Sequence, residues 1–281
     1  MNVTVRKSQI ATMKSFDNLF IDMTEKFCNQ RCKHCYIDFP QFKKCEDFID
    51  IEKIADTLND LKDIDIKCIY LTGAEPMTHP VFNAILRLCL KKSSVCVCTN
   101  GSFINEKKAR FLKKVEDESE NEIFFKISLD HYYEIKNDDI RYRGAYRHAV
   151  FAVKHLLKYN FNTIITVTNY YNENEYTITE EISKIFSDCV QQPQIIINRV
   201  HDKTSDVSDD ITEQKWSRLE CEYGRTLNAE GIYACPFLSG DYRGRCGSDF
   251  KDYSTQIPLE TNFCVTCIKN QHQMFGINFK D

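Results

Sequence analysis

At 281 residues the chain holds one large domain, or a large and a small one, against a usual ~100–200 residues per domain. With 42% hydrophobic, 28% charged and 12% aromatic residues it has material for a real core and does not read as a disordered chain. A net charge of −4 excludes nucleic-acid binding by bulk electrostatics, no apolar run reaches the ~18–20 residues that span a bilayer, and the first residues lack the apolar centre of a signal peptide. A cytoplasmic protein with no nucleic-acid and no membrane partner is expected.

Short apolar runs alternate with amphipathic segments from about residue 18. Leu19–Ile21 is the first expected strand, and Ile51, Ile54, Ala55, Leu58 and Leu61 then recur at helical spacing. Strands are expected at 66–73, 94–101, 123–130, 162–169 and 194–200. Helices are expected at 81–90 (after Pro80), 106–115, 146–157 and 180–186. Strands that are continuously apolar belong to a parallel sheet covered on both faces. Six βα repeats therefore predict an α/β fold, an open or partial (β/α)6 TIM-like barrel with chemistry at the carboxyl ends of its strands. Near residue 201 the rhythm ends in the acidic stretch HDKTSDVSDD, a linker or lid, and the remaining ~70 residues are too few for a robust core without a staple. The expected division is an extension (1–17), a core (18–203) and a small cysteine-rich domain (204–281).

Fourteen cysteines in a reducing compartment favour metal or redox chemistry over a disulfide scaffold. Cys68, Cys89, Cys96 and Cys98 lie in apolar runs and read as core, while Cys45 and Cys189 fit no pattern. Cys28, Cys32 and Cys35, in KFCNQRCKHCY, place three thiolates in eight residues just after the first strand. A zinc site or a ferredoxin cluster wants a fourth ligand; His34 lies awkwardly between two of the cysteines. This loop resembles the signature of the radical S-adenosylmethionine (SAM) enzymes, whose cluster keeps one iron open, with Tyr36 in the aromatic position after the third cysteine.

Four further segments agree with that family in order. TGAEP (72–76) resembles its GGEP turn, with Ala74 in place of the second glycine; the resemblance implies that Gly73, Ala74 and Glu75 meet the methionine amino group of SAM. Asn100, in TNG (99–101), closes the third strand as in relatives. Ser128 and Asp130, in SLD, stand where relatives offer hydroxyl and carboxylate to the ribose. IRYRGAY (140–146) resembles the stretch whose first arginine pairs with the SAM carboxylate, which implies that role for Arg141.

A second constellation joins Cys221, Gly231 and Cys235 to Cys264 and Cys267. It resembles the twitch extension, the short form of the SPASM domain, which implies an auxiliary [4Fe-4S] cluster on these four cysteines. A structural zinc on the same thiolates is the alternative. Cys246, in RGRCGS, is a core thiol, a replacement ligand, or a catalytic hydrogen donor of the kind used by some peptide epimerases.

The resemblance implies an enzyme that cleaves SAM on a [4Fe-4S] cluster, with an electron from a flavodoxin- or ferredoxin-type donor, to a 5′-deoxyadenosyl radical. The radical then abstracts hydrogen from a peptide or small-molecule (amino sugar or cyclitol-like) substrate. The short N-terminal extension leaves no room for a leader-peptide-binding domain, so a small molecule or leader-independent peptide is expected. An oxidative outcome is expected over epimerisation; a zinc-stapled binding protein without catalysis is the reading from a different class.

Overall fold

The structure, a computed structural model of the chain, describes residues 9–24, 26–37, 48–201, 219–270 and 275–276. Cys45 and nearly all of the acidic linker or lid stretch fall outside them. The βα alternation holds from β2 (Asn18–Asp22), after a short β1 (Ile10–Thr12), through α1 (Ile51–Asp60), β3 (Cys68–Thr72), α2 (Phe82–Leu90), β4 (Ser94–Thr99) and α3 (Glu106–Asp117). It continues with β5 (Ile123–Ser128), α4 (Glu134–Ile140), α5 (Ala145–Lys158), β6 (Asn162–Thr168), α6 (Glu175–Ile185) and β7 (Gln194–Asn198). Every pairing from β2 to β7 is parallel and in chain order.

Local chemistry starts the helices where the sequence allows. Asn105 caps α3 by accepting from Lys108 N, and Asn174 caps α6 by accepting from Tyr176 N and Thr177 N. One face of each helix then enters the core: Ile54 and Leu58 from α1, Ile85, Leu86 and Cys89 from α2, Ala149, Ala152, Val153 and Leu156 from α5. The opposite face of the sheet carries a separate cluster of Phe20, Cys68, Tyr70, Cys96 and Ile164. Cys68, Cys89 and Cys96 are therefore core thiols, as their apolar neighbours predict. The sheet does not close on itself, which makes it a partial barrel.

Three features depart from expectation. The short helix α4 is missing from the sequence reading, because five polar residues with only Ile135 and Ile140 among them show no helical period. The βα rhythm is also not over at residue 201. After α7 (Glu220–Tyr223), β8 (Gly224–Leu227) adds in parallel to the free edge of β2; β9 (Ile232–Tyr233) and β10 (Arg245–Gly247) follow antiparallel. Nine strands thus form one sheet among the described residues, crossing the expected boundary at 203. Finally, the N-terminal extension is not free: β1 pairs antiparallel with β11 (Gln256–Pro258), just ahead of α8 (Asn262–Asn270).

The strand GRTL escapes sequence analysis because it is only four residues long and opens on a glycine and an arginine. Arg225 is nonetheless fully buried, and it donates to the carbonyls of Cys221 (2.6 Å), Gly224 (2.7 Å) and Ser254 (3.2 Å). Gly224 lies so close to β2 that a Cβ would stand 2.3 Å from Asn18 O. Gly224→Ala should therefore push β8 from the sheet and lower the unfolding free energy by about 1–3 kcal/mol, the scale of overpacking. Urea midpoints and hydrogen exchange over 224–227 check this; unchanged values would mean that the edge yields freely.

Candidate functional site

The five strand ends β3 to β7 finish on Thr72, Thr99, Ser128, Thr168 and Asn198, and all five side chains line one cavity. Its space is about 1040 Å³, part of it open to solvent. Cys28, Cys32 and Cys35 stand at this cavity, as do Tyr36, Gly73, Ala74, Asn100 and Arg141. The structure thus gathers residues from across the first 141 positions at the carboxyl end of the parallel sheet, where such folds do chemistry.

The cysteine loop is held by its backbone. Ala74 N donates to Thr24 O (2.7 Å), Glu75 N to Phe27 O (3.2 Å), and Lys33 N to Ile140 O (2.9 Å). Gly73 makes the close turn possible: its φ is +104°, and a Cβ there would sit 2.1 Å from Asp22 Oδ1 and 2.6 Å from Thr24 O. Ala74 has no such demand, so the departure from the double glycine is tolerated.

Two carboxylates of the family motifs tie the site together. Glu75 is buried; Oε1 accepts from Thr99 Oγ1 (2.7 Å) and Met77 N (3.2 Å), and Oε2 from Asn100 N (2.9 Å). It locks the β3 turn to the β4 turn, and burial pushes its pKa up to about 7. Asp130 accepts from Arg141 Nε (2.5 Å) and His34 Nε2 (2.7 Å) at one oxygen and from Thr168 N (2.8 Å) at the other. Burial alone would raise its pKa, but the charges of Arg141 and His34 outweigh it and hold the carboxyl well below its usual range. Gly73, Ala74 and Ser128 line the cavity, and the two carboxylates stand directly behind its lining residues Thr99, Asn100, Arg141 and His34.

Arg141 is brought to the cavity as expected, while Arg143, two residues on, is exposed. The Arg141 Nη1 reaches Gln30 Oε1 (3.3 Å) and lies 3.7 Å from Cys32 Sγ. Asn100 Nδ2 lies 3.8 Å from Cys28 Sγ. Burial, with the charges of Glu75, Cys32 and Cys35, pushes the Cys28 thiol up to about 12, so three thiolates persist together here only beside a positive group.

A second pocket is lined by Cys221, Cys235, Cys264 and Cys267, among Leu238, Ile257, Leu259 and Phe263. Burial raises Cys221 and Cys235 well above the ordinary thiol value, each further raised by charge on its cysteine neighbours, and lifts Cys267 to about 12. Among the described residues, no three His, Cys, Asp or Glu side chains converge closely enough to hold a single metal ion. Four thiols in one apolar pocket are the donor set of a [4Fe-4S] cluster or of a structural zinc ion.

Cys246 lines neither pocket, but it packs against the cluster that holds Cys221, Cys264 and Cys267; its thiol meets Gly244 O (3.5 Å), and Arg225 and Tyr253 lie beside it. The cavity thiol that sequence reasoning assigned to the core is Cys98, paired with Cys96 two residues back; that Cys96 contact pulls its pKa down despite burial, helped by Lys126. Lys126 itself, Gln30, Phe237 and Phe275 also line the cavity unforeseen. A lone lysine inside the apolar strand IFFKIS is the one signal that could have marked it.

The family model for the Radical SAM superfamily matches residues 25–185. The chain belongs to the radical SAM superfamily. It is 30% identical over 129 residues (45% of this chain) to the antilisterial bacteriocin subtilosin biosynthesis protein AlbA of Bacillus subtilis, of which it spans only 28%. It is 27% identical over 287 residues to GTP 3′,8-cyclase of Clostridium perfringens, covering 95% of this chain and 84% of that one. Among solved structures, Streptococcus suis SuiB bound to precursor peptide SuiA superposes with a TM-score of 0.61 at 14% identity, over 86% of this chain and 64% of SuiB. SuiB is also solved with S-adenosylmethionine. These radical SAM folds share the partial barrel, and the family uses a [4Fe-4S] cluster with SAM.

The site depends on the Asp130–Arg141 pair. Asp130→Asn strands a buried guanidinium and should lower the unfolding free energy by about 3–5 kcal/mol. SAM affinity, measured by calorimetry, should fall with it, whereas Arg143→Ala leaves both unchanged. Equal loss in the two variants would refute the pairing.

Proposed function

We propose that this radical SAM enzyme oxidises a peptide, with a second four-iron cluster on Cys221, Cys235, Cys264 and Cys267 as electron acceptor. The cavity residues Cys28, Cys32 and Cys35 would hold the first cluster, with Arg141 and the Gly73–Ala74 backbone beside the SAM amino acid moiety. When bound, that cluster and SAM supply a hydrogen-abstracting radical. The chain's own part is orientation: Asp130 fixes Arg141, Glu75 fixes the turn that carries Gly73, and Tyr36 and Phe237 wall the space against water.

One observation carries the oxidative reading. Phe237 lines both pockets, so the closed four-thiol set lies a single side chain away from the substrate space. Cys246, the thiol that would return a hydrogen atom, does not line that space. AlbA and SuiB, by their names and bound peptide, support a peptide substrate; a flavodoxin- or ferredoxin-type protein is the proposed electron donor.

Two four-iron sites require about eight irons per chain after anaerobic reconstitution. Cys28, Cys32 and Cys35 changed together to Ala should halve the iron, and Cys235→Ala should remove the other half. Undiminished iron in either variant would sink that ligand set. With a peptide substrate in heavy water, a product two mass units lighter and free of solvent deuterium is expected. One solvent deuteron on carbon would overturn the oxidative reading, and the thiol to change next is then Cys98.

A further inference from the structure

A residue from the far end of the chain lines the candidate substrate space. Phe275 and Gly276, near the C-terminus, reach back across the sheet to the interior of the partial barrel. Phe275 N donates to Glu220 Oε1 (2.7 Å), and Gly276 N donates to the same oxygen (3.0 Å). On the other side, Lys126 Nζ donates to Phe275 O (2.6 Å). Lys126 is 3% exposed and Glu220 is 2% exposed, so both charges are withdrawn from water and held opposite one another around a peptide unit.

The Phe275 ring fills an aromatic box. Its centroid lies 4.7 Å from Phe237, 5.8 Å from Tyr36 and 6.2 Å from Phe20, each at a steep angle, the edge-to-face arrangement that rings favour. Nothing in these contacts depends on the chain being tethered. A carboxylate oxygen that accepts two successive N–H groups and an ammonium that donates to the carbonyl between them recognise a backbone bent as it is at 275–276, and the box selects an aromatic side chain.

We propose that Lys126 and Glu220 form a backbone clamp for a peptide substrate bearing an aromatic residue, with Phe275–Gly276 as its displaceable internal occupant. The inference deepens the peptide reading above and rests on it. The tethered segment competes at an effective concentration on the order of millimolar, so it screens the clamp from weak peptides and yields to a substrate that also contacts the rest of the cavity.

The probe is a fluorescein-labelled hexapeptide with blocked ends, QMFGIN, matching residues 273–278. Its binding is followed by anisotropy on the full chain without SAM or turnover. Phe275→Ala loosens the internal occupant and should tighten probe binding at least tenfold over the wild type. Adding Lys126→Met to Phe275→Ala should remove that gain. On the wild type, saturating probe should raise hydrogen exchange over 275–276, a readout that needs no variant to fold. Equal affinity of wild type and Phe275→Ala, a gain that survives Lys126→Met, or exchange unmoved by probe would make Phe275 a fixed wall and overturn the clamp. The peptide reading itself fails separately, when the holoenzyme leaves the mass of every peptide substrate offered unchanged while the probe still binds.

Discussion

The site is organised by one buried negative charge. The Asp130 carboxylate, at the end of β5, ties to the backbone of β6 through Thr168, to the cysteine loop through His34, and to the segment after α4 through Arg141. A carboxylate withdrawn from water survives only if its partners offset the desolvation, and here two charged or chargeable side chains and an amide do so. The guanidinium it fixes then reaches Gln30 and Cys32. Four segments that are distant in sequence are thereby held in one geometry by a group that stands behind the residues lining the cavity.

Glu75 works in the same way one strand over. Its three donors come from the turn after β3 and from the end of β4, so the glycine turn cannot move without breaking bonds to Thr99 and Asn100. These two acids stand in the motifs that mark the family, TGAEP and SLD. Beside the cofactor contact that the motifs imply, their hydrogen bonds hold the neighbouring residues in place.

Much was legible beforehand. Parallel strands with continuous apolar runs need no tertiary information to be seen, and Leu19–Ile21 through the run at 194–200 lie where periodicity puts them. The three-cysteine loop and the four later cysteines were equally plain, since spacing alone sets them apart. What stayed hidden depends on long-range neighbours. GRTL becomes a strand because β2 offers an open edge and because Arg225 finds three carbonyls inside the fold. Cys98 looks like its buried neighbours until its place near the carboxyl end of β4 brings it to the cavity. The roles of Lys126 and Phe275 appear only when residues about 150 positions apart meet.

The pairing of β8 with β2 has a consequence for how the molecule is made. β2 is the first strand of the parallel sheet to leave the ribosome, yet its second neighbour lies about 200 residues downstream. At synthesis rates of about 5–20 residues per second, that edge waits roughly 10–40 s with its amides and carbonyls unsatisfied. A fully apolar edge such as Leu19-Phe20-Ile21 is then a template for strands of other nascent chains. Yield in a cell is accordingly a race between elongation and self-association, won by dilution, by chaperones, or by slower initiation that keeps neighbouring chains apart.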